Sequence, residues 1–277
     1  MITVEVVQMK PINILSIDFD YFVNATAEQR MTIFPDGHEH YGVNIYNHVW
    51  MSRYGECPEL ENIGVVEDEY TSLINYLNLL IKRRQTSETC FVVTNSHKWI
   101  YDVITRDYMD WPINMLHIDF HSDNYGLKDE TNCGNWVNWL EKSLKDTHQR
   151  IWRASKITWL GREDSDAAEE TRFFKVMERG KKPLETIISD YFHNSVPDLI
   201  YICKSGSWSP PHLDVRFDEL ISLAHEFHYA RGSHTQFSSD VESRWTEEYQ
   251  ESLVTYKKQI EEFKKSYLLN RGDKSEI

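Results

Sequence analysis

Short apolar runs recur along this chain, and most of them end in polar residues. Ile12–Asp18, Thr89–Thr94, Asn114–Asp119, Lys156–Leu160 and Asp198–Lys204 are nearly continuous in aliphatic and aromatic residues. A strand covered on both faces needs such a run, and strands of a parallel sheet are covered that way. Between the runs, apolar residues recur at helical spacing. Glu67–Arg83 places Tyr70, Leu73, Ile74, Leu77 and Leu80 on one face, and His97–Tyr108, Asn135–Leu144 and Ala167–Glu178 read the same way. The alternation of strand and helix predicts an α/β fold with a mainly parallel sheet between two helical layers.

Two stretches break the rhythm. From about residue 23 to 62 the pattern is irregular, interrupted by Pro35, Gly37, Gly42, Gly55 and Pro58, and it carries His38, His40 and His48. A loop of that length is expected to be functional or partly structured. Residues of about 244–269 form a long charged amphipathic helix, and the tail after it should fray. No repeat or low-complexity linker divides the chain, so residues 1–277 are expected to form a single domain.

Composition narrows the function classes. A formal net charge of -14 argues against nucleic-acid binding, which needs a basic footprint, and is compatible with a cationic substrate. Cys57, Cys90, Cys133 and Cys203 form no CxxC pair, and a disulfide framework is not expected at this size. No segment has the apolar length of a membrane span and the N-terminus has no leader pattern, so a cytoplasmic protein is expected.

The chemistry sits where apolar runs end. Leu116-His117-Ile118-Asp119-Phe120-His121-Ser122-Asp123 carries an apolar strand into Asp-x-His-x-Asp. Ligands of open parallel sheets bind at the carboxyl ends of strands, and two carboxylates with an imidazole make a metal half-site. Ile14-Leu15-Ser16-Ile17-Asp18-Phe19-Asp20 ends likewise in Asp-x-Asp. Two like charges at the tip of a buried strand are costly without a cation. A third run, Phe91–Thr94, leads to His97, which precedes Asp119 by 22 positions (119 − 97), enough for one helix and a return strand.

Together these motifs resemble the arginase-like ureohydrolases. His97, Asp119-x-His121-x-Asp123 and Ser16-x-Asp18-x-Asp20 match the motifs that hold two manganese ions in that family. Ile157 to Asp166 is similar to its strand and Gly-x-Arg-Asp-x-Asp turn near the substrate, and the resemblance spans roughly residues 12–205. The order differs, because the Ser-x-Asp-x-Asp strand comes first here, as a circular permutation would place it. In this order the chain looks most like a divergent branch that includes peptide arginases, which convert arginine side chains of ribosomally made peptides to ornithine.

The resemblance implies two Mn²⁺, one held by His97, Asp119, Asp123 and Asp18 and the other by His121, Asp119, Asp18 and Asp20. It implies a guanidinium hydrolysis in which Asp123 orients the nucleophile and takes its proton. Glu67 would pair with the guanidinium, while Asn135, Asp164 and Asp166 would contact substrate. The family's Ser-Gly-Asn-x-His-Gly loop is nearest Cys133-Gly134-Asn135-Trp136, which lacks the His. That favours a substrate whose α-groups are already in peptide bonds, an arginine-containing precursor peptide, with a shuttle His drawn from His38, His40 or His48. The rival readings are a one-zinc deacetylase or other amidohydrolase on the same fold, and a metal-stabilised binding protein.

Overall fold

Each apolar run is a strand, and two short strands join them at the edges of the sheet. The computed structural model describes residues 9–34, 43–83, 89–128, 130–231, 235–238 and 241–271. In chain order the elements are β1 (Ile12–Asp18), α1 (Ala27–Ile33), α2 (Val43–Glu56), α3 (Glu67–Lys82), β2 (Cys90–Thr94), α4 (Trp99–Asp107), β3 (Ile113–Ile118), α5 (Trp136–Thr147), α6 (Gln149–Ala154), β4 (Lys156–Leu160), β5 (Phe174–Val176), α7 (Leu184–Tyr191), β6 (Leu199–Cys203), α8 (Asp214–Arg231), β7 (Thr235–Phe237) and α9 (Glu247–Arg271). The strands pair in the order β5-β4-β3-β1-β6-β2-β7, and every pair is parallel.

Strand alternation sorts the apolar residues onto two faces. Ile14, Val92, Met115, Ile157 and Leu199 meet Ile100, Val103 and Ile104 of α4 and Trp136, Val137, Leu140 and Leu144 of α5. Leu15, Ile17, Phe91, Val93, Leu116, Ile118, Ile200 and Ile202 meet α3, α7 and α8 on the opposite face. Two apolar layers over one sheet make the three-layer architecture that the apolar runs predict. The chain leaves β1 for β2, then crosses back to β3 on the other side of β1, so the crevice for ligands lies at the carboxyl ends beside β1.

Residues 23–62 are not one irregular loop. A capping box of Thr26 and Gln29 starts α1, and α2 buries Trp50 and Tyr54. Gly55 permits the approach of α9, since a Cβ there would stand 2.6 Å from Ile260 Cδ1. The helix expected over Ala167–Glu178 is also absent. That segment is extended and ends in the edge strand β5, where Ile157 N–H donates to Phe173 O and Met177 N–H to Trp159 O. The Thr171 hydroxyl takes the N–H groups of Phe173 and Phe174, and burial of both rings outweighs helical propensity. No described helix is long and apolar enough to cross a membrane.

Candidate metal centre

The parity that faces Ile14 and Met115 toward α4 and α5 continues to the strand tips. Ser16 and Asp18 of β1, His117 of β3 with the following Asp119, and Tyr201 and Cys203 of β6 therefore share one face. Asp119 stays in register because its N–H donates to Leu160 O at 3.3 Å. Where the apolar residues run out, Trp136 of α5 and Tyr201 of β6 stack on the two sides of His97, with ring centroids 5.6 and 5.5 Å away.

Around His97 the carboxylates gather. Its Nδ1 lies 3.0 Å from Asp18 Oδ2, 3.0 Å from Asp119 Oδ2 and 3.5 Å from Asp123 Oδ2, while its Nε2 is 2.8 Å from Ser16 Oγ. Ser205 Oγ donates to Asp18 Oδ2 at 2.6 Å. A second group stands beside the first. His121 Nδ1 is 3.0 Å from Asp20 Oδ2 and 3.9 Å from Asp119 Oδ1, so Asp119 turns one oxygen to each group. His121 N–H also donates to Asp119 Oδ1 at 2.7 Å. The His121 side chain is 19% exposed, while the Asp20, Asp119 and His97 side chains are 0–1% exposed. The His121 side is thus the open one.

Several of these approaches are close without being hydrogen bonds. Neither oxygen of Asp20, nor Asp119 Oδ2, nor either nitrogen of His117 has a hydrogen-bond partner among the described residues. Burial of an unpaired polar atom costs about 1–3 kcal/mol, more when charged. His97 Nδ1 is hydrogen-bonded to Asp18 Oδ2, whereas Asp20 Oδ2 and Asp119 Oδ2, each 3.0 Å from an imidazole nitrogen, are not hydrogen-bonded, and a cation among these groups would satisfy them. Ligand atoms of His97, His117, Asp119 and Asp123 lie within 4.8 Å of one another, as do those of Asp20, Asp119 and His121, and those of Asp18, His97 and Cys203. A set rich in carboxylate oxygen and imidazole fits a borderline or hard divalent ion.

The electrostatics agree with that chemistry. Burial, and then the charges of Asp18 and Asp20, push the Asp119 carboxyl well above its ordinary value. Burial and the Asp119 charge do the same to Asp123. Burial opposes ionisation of Asp20 as well, but His121 and Arg30 outweigh it and hold that carboxyl low. Arg30, on α1, stands 3.5 Å from Asp20 Oδ2 and lies over the Phe120 ring at 3.8 Å. Asp123 has a left-handed backbone, φ 54°, and Trp136 Nε1 donates to its Oδ2 at 2.5 Å. Strained backbone of this kind needs its surroundings to hold it.

The six residues expected as ligands (Asp18, Asp20, His97, Asp119, His121 and Asp123) thus meet at the tips of β1 and β3 and the turn after β2. The residues expected to touch substrate do not join them. Glu67 is exposed at the start of α3, and its carboxylate pairs with Arg216 at 2.7 Å. Asn135 is buried and spent on its own loop, accepting from Asn132 N–H and donating to Glu130 O. Asp164 lines a cavity and pairs with Arg162, whereas Asp166 is exposed and outside that wall. His48 is exposed on α2; His38 and His40 lie outside the described residues. Sequence reading passed over His117 and Arg30. His117 has a signal in the sequence, because it stands two residues before Asp119 and so shares its face. Arg30 has none, since nothing local ties it to Asp20.

The cavity measures about 870 Å³ and is separate from the carboxylate cluster, none of whose residues stands in its wall. Tyr21, next in sequence to Asp20, belongs to that wall, with Asp68, Glu69, Asp164 and Glu185 interleaved with Arg162, Arg179 and lysines. Comparison with protein-family models, with curated proteins and with solved structures finds no match to this chain.

Proposed function

We propose that this chain is a manganese-dependent hydrolase that converts arginine side chains of a peptide to ornithine and releases urea. The observation that carries this reading is the meeting of Asp18, Asp20, His97, Asp119, His121 and Asp123 from separate strand ends around unpartnered buried atoms. His97, Asp119, Asp123 and Asp18 would hold one ion, and His121, Asp119, Asp18 and Asp20 the other. Bound there, a pair of divalent ions lowers the pKa of water and supplies hydroxide near neutral pH.

The chain's own groups do the rest. Asp123, fixed by the Trp136 N–H and raised in pKa by burial, takes the proton of the attacking water. The water oxygen bonds to the guanidinium carbon. The bond from that carbon to the side-chain nitrogen then breaks, and the proton held on Asp123 passes to that nitrogen, leaving an amine and urea. A peptide is favoured over free arginine because Asn135 is committed to its loop and no His follows it in the position that grips a free amino acid in the family resembled. The separate cavity of about 870 Å³, whose wall includes Tyr21, next in sequence to Asp20, is roomy for a peptide segment, and its carboxylates suit a guanidinium, as Asp164 already shows with Arg162.

The test is mass spectrometry of arginine-containing peptides after incubation with manganese-loaded protein. Each converted arginine loses about 42 Da, the mass of the carbodiimide unit removed by this hydrolysis. A panel left unchanged by protein holding two manganese ions per chain overturns the reading.

A further inference from the structure

Three imidazoles, not two, face the carboxylates. His117 lies within β3 with a side chain 0% exposed, and both ring nitrogens lack a hydrogen-bond partner among the described residues. Its Nε2 is 3.4 Å from Asp119 Oδ2 and 3.7 Å from Asp123 Oδ2. The ring stands edge-on to both His97 and Trp136, at 74° and 81°. An imidazole that only filled the core would cost the burial of two polar nitrogens for packing that a Phe provides without that cost.

We propose that His117 is a further metal ligand, through Nε2, and that it completes a four-donor inner subsite with His97, Asp119 and Asp123 in place of the Asp18 that the family resemblance assigns there, Asp18 Oδ2 being already hydrogen-bonded to His97 Nδ1 and Ser205 Oγ. This rests on reading the cluster as a metal centre, not on the identity of the substrate. The four donor atoms His97 Nδ1, His117 Nε2, Asp119 Oδ2 and Asp123 Oδ2 have imidazole-to-carboxylate separations of 3.0, 3.5, 3.4 and 3.7 Å. Ligands placed tetrahedrally at about 2.1 Å from an ion stand about 3.4 Å apart. The inner subsite therefore has the dimensions of a closed tetrahedral N₂O₂ site. With Asp18 turned to His97 and Ser205, the outer group of Asp20, Asp119 and His121 offers fewer protein donors and contains the partly exposed imidazole of the three. Two unequal subsites follow: an inner one that binds its ion more tightly, and an outer one with positions open to exchange.

Calorimetric titration of metal-free protein with Mn²⁺ tests this. The wild type should show two classes of site. In His117→Phe, which keeps a ring against Trp136 but offers no donor, the tighter class should weaken roughly 100-fold while the weaker class is retained. Wild-type affinities at both classes in a folded His117→Phe overturn the proposal. A second measurement needs no variant. Cobalt-substituted wild type should show paramagnetically shifted proton resonances from three imidazoles, and resonances from only two overturn it. Either negative result leaves peptide hydrolysis standing, because urea release is read separately; failure to take up any metal ends both.

Discussion

Replacing Asp119 by Asn separates the cost of the cluster from its use. Asp119 faces both groups, through Oδ2 to His97 at 3.0 Å and through Oδ1 to His121 at 3.9 Å. In the metal-free fold its charge is disfavoured by burial and by Asp18 and Asp20. A carboxyl raised in this way costs stability above its unfolded pKa, so an amide of the same shape should relieve that cost. Asn Oδ1 still accepts the His121 N–H. Metal-free Asp119→Asn is therefore expected to be within about 1 kcal/mol of the wild type, or above it. With metal the order reverses. At a thousandfold excess over Kd each ion adds about 4.1 kcal/mol, so two add about 8 kcal/mol. An amide bridges two cations poorly, and a hundredfold loss at each subsite leaves about 1.4 kcal/mol per ion. At roughly 2–4 °C per kcal/mol, melting curves with and without Mn²⁺ resolve this difference. A metal-free variant melting more than about 10 °C below wild type, or an unchanged response to Mn²⁺, would refute the reasoning.

Other consequences can be measured directly. Asp214 accepts from Arg244 at 2.6 Å and stands 3.0 Å from Lys204 Nζ, all three side chains being nearly inaccessible, so Asp214→Asn should lose about 3–5 kcal/mol in urea denaturation. Lys204 is pulled down to about 8, first by burial, although Asp214 opposes this; Arg244 adds to the lowering and Asp218 resists it. A lysine lowered on folding binds its proton better when unfolded, so its penalty is full below about pH 8 and fades as pH rises toward 10.5. The stability of Lys204→Met minus that of wild type should therefore shrink by about 3 kcal/mol between those limits, and a flat difference would contradict this. Trp136→Phe keeps the stacking ring but removes the N–H from Asp123 Oδ2, and should cost about 1.5–3 kcal/mol in the melting of metal-free protein. Glu67→Ala removes only an exposed pair with Arg216 and should change stability by less than about 0.5 kcal/mol and leave urea release unaltered.

Much of the sheet was legible because buried parallel strands leave an unmistakable apolar trace, and β1 and β4 have the boundaries that Ile12–Asp18 and Lys156–Leu160 suggest. The carboxylates at their tips were legible for the complementary reason, since an acid that ends such a run has to be answered by something. β5 was not legible, because Ala167–Glu178 has helical spacing and only pairing with β4 makes Phe174–Val176 extended. α7 and α8 went unassigned, because only the strand Asp198–Lys204 stands out between Leu184 and Arg231. His117 was hidden in plain view, its neighbours Leu116 and Ile118 making it read as core. Glu67 is the converse case: an acid at a helix start also suits the helix dipole, and its partner Arg216 is far away in sequence.

The position of β6 governs when the centre can come into being. β1 and β2 share no ladder; each pairs with β6, which is made after both and slots between them. A nascent chain that stops before Leu199 already holds Asp18, His97 and Asp119, but the gap between its first two strands has no occupant. Ser205, which steadies Asp18, arrives only with the residues that follow β6. Ribosomal synthesis thus leaves the acidic tips of β1 and β3, which pair directly, without a seat for His97 until about three quarters of the polypeptide has emerged, so truncated products should lack the inner metal subsite.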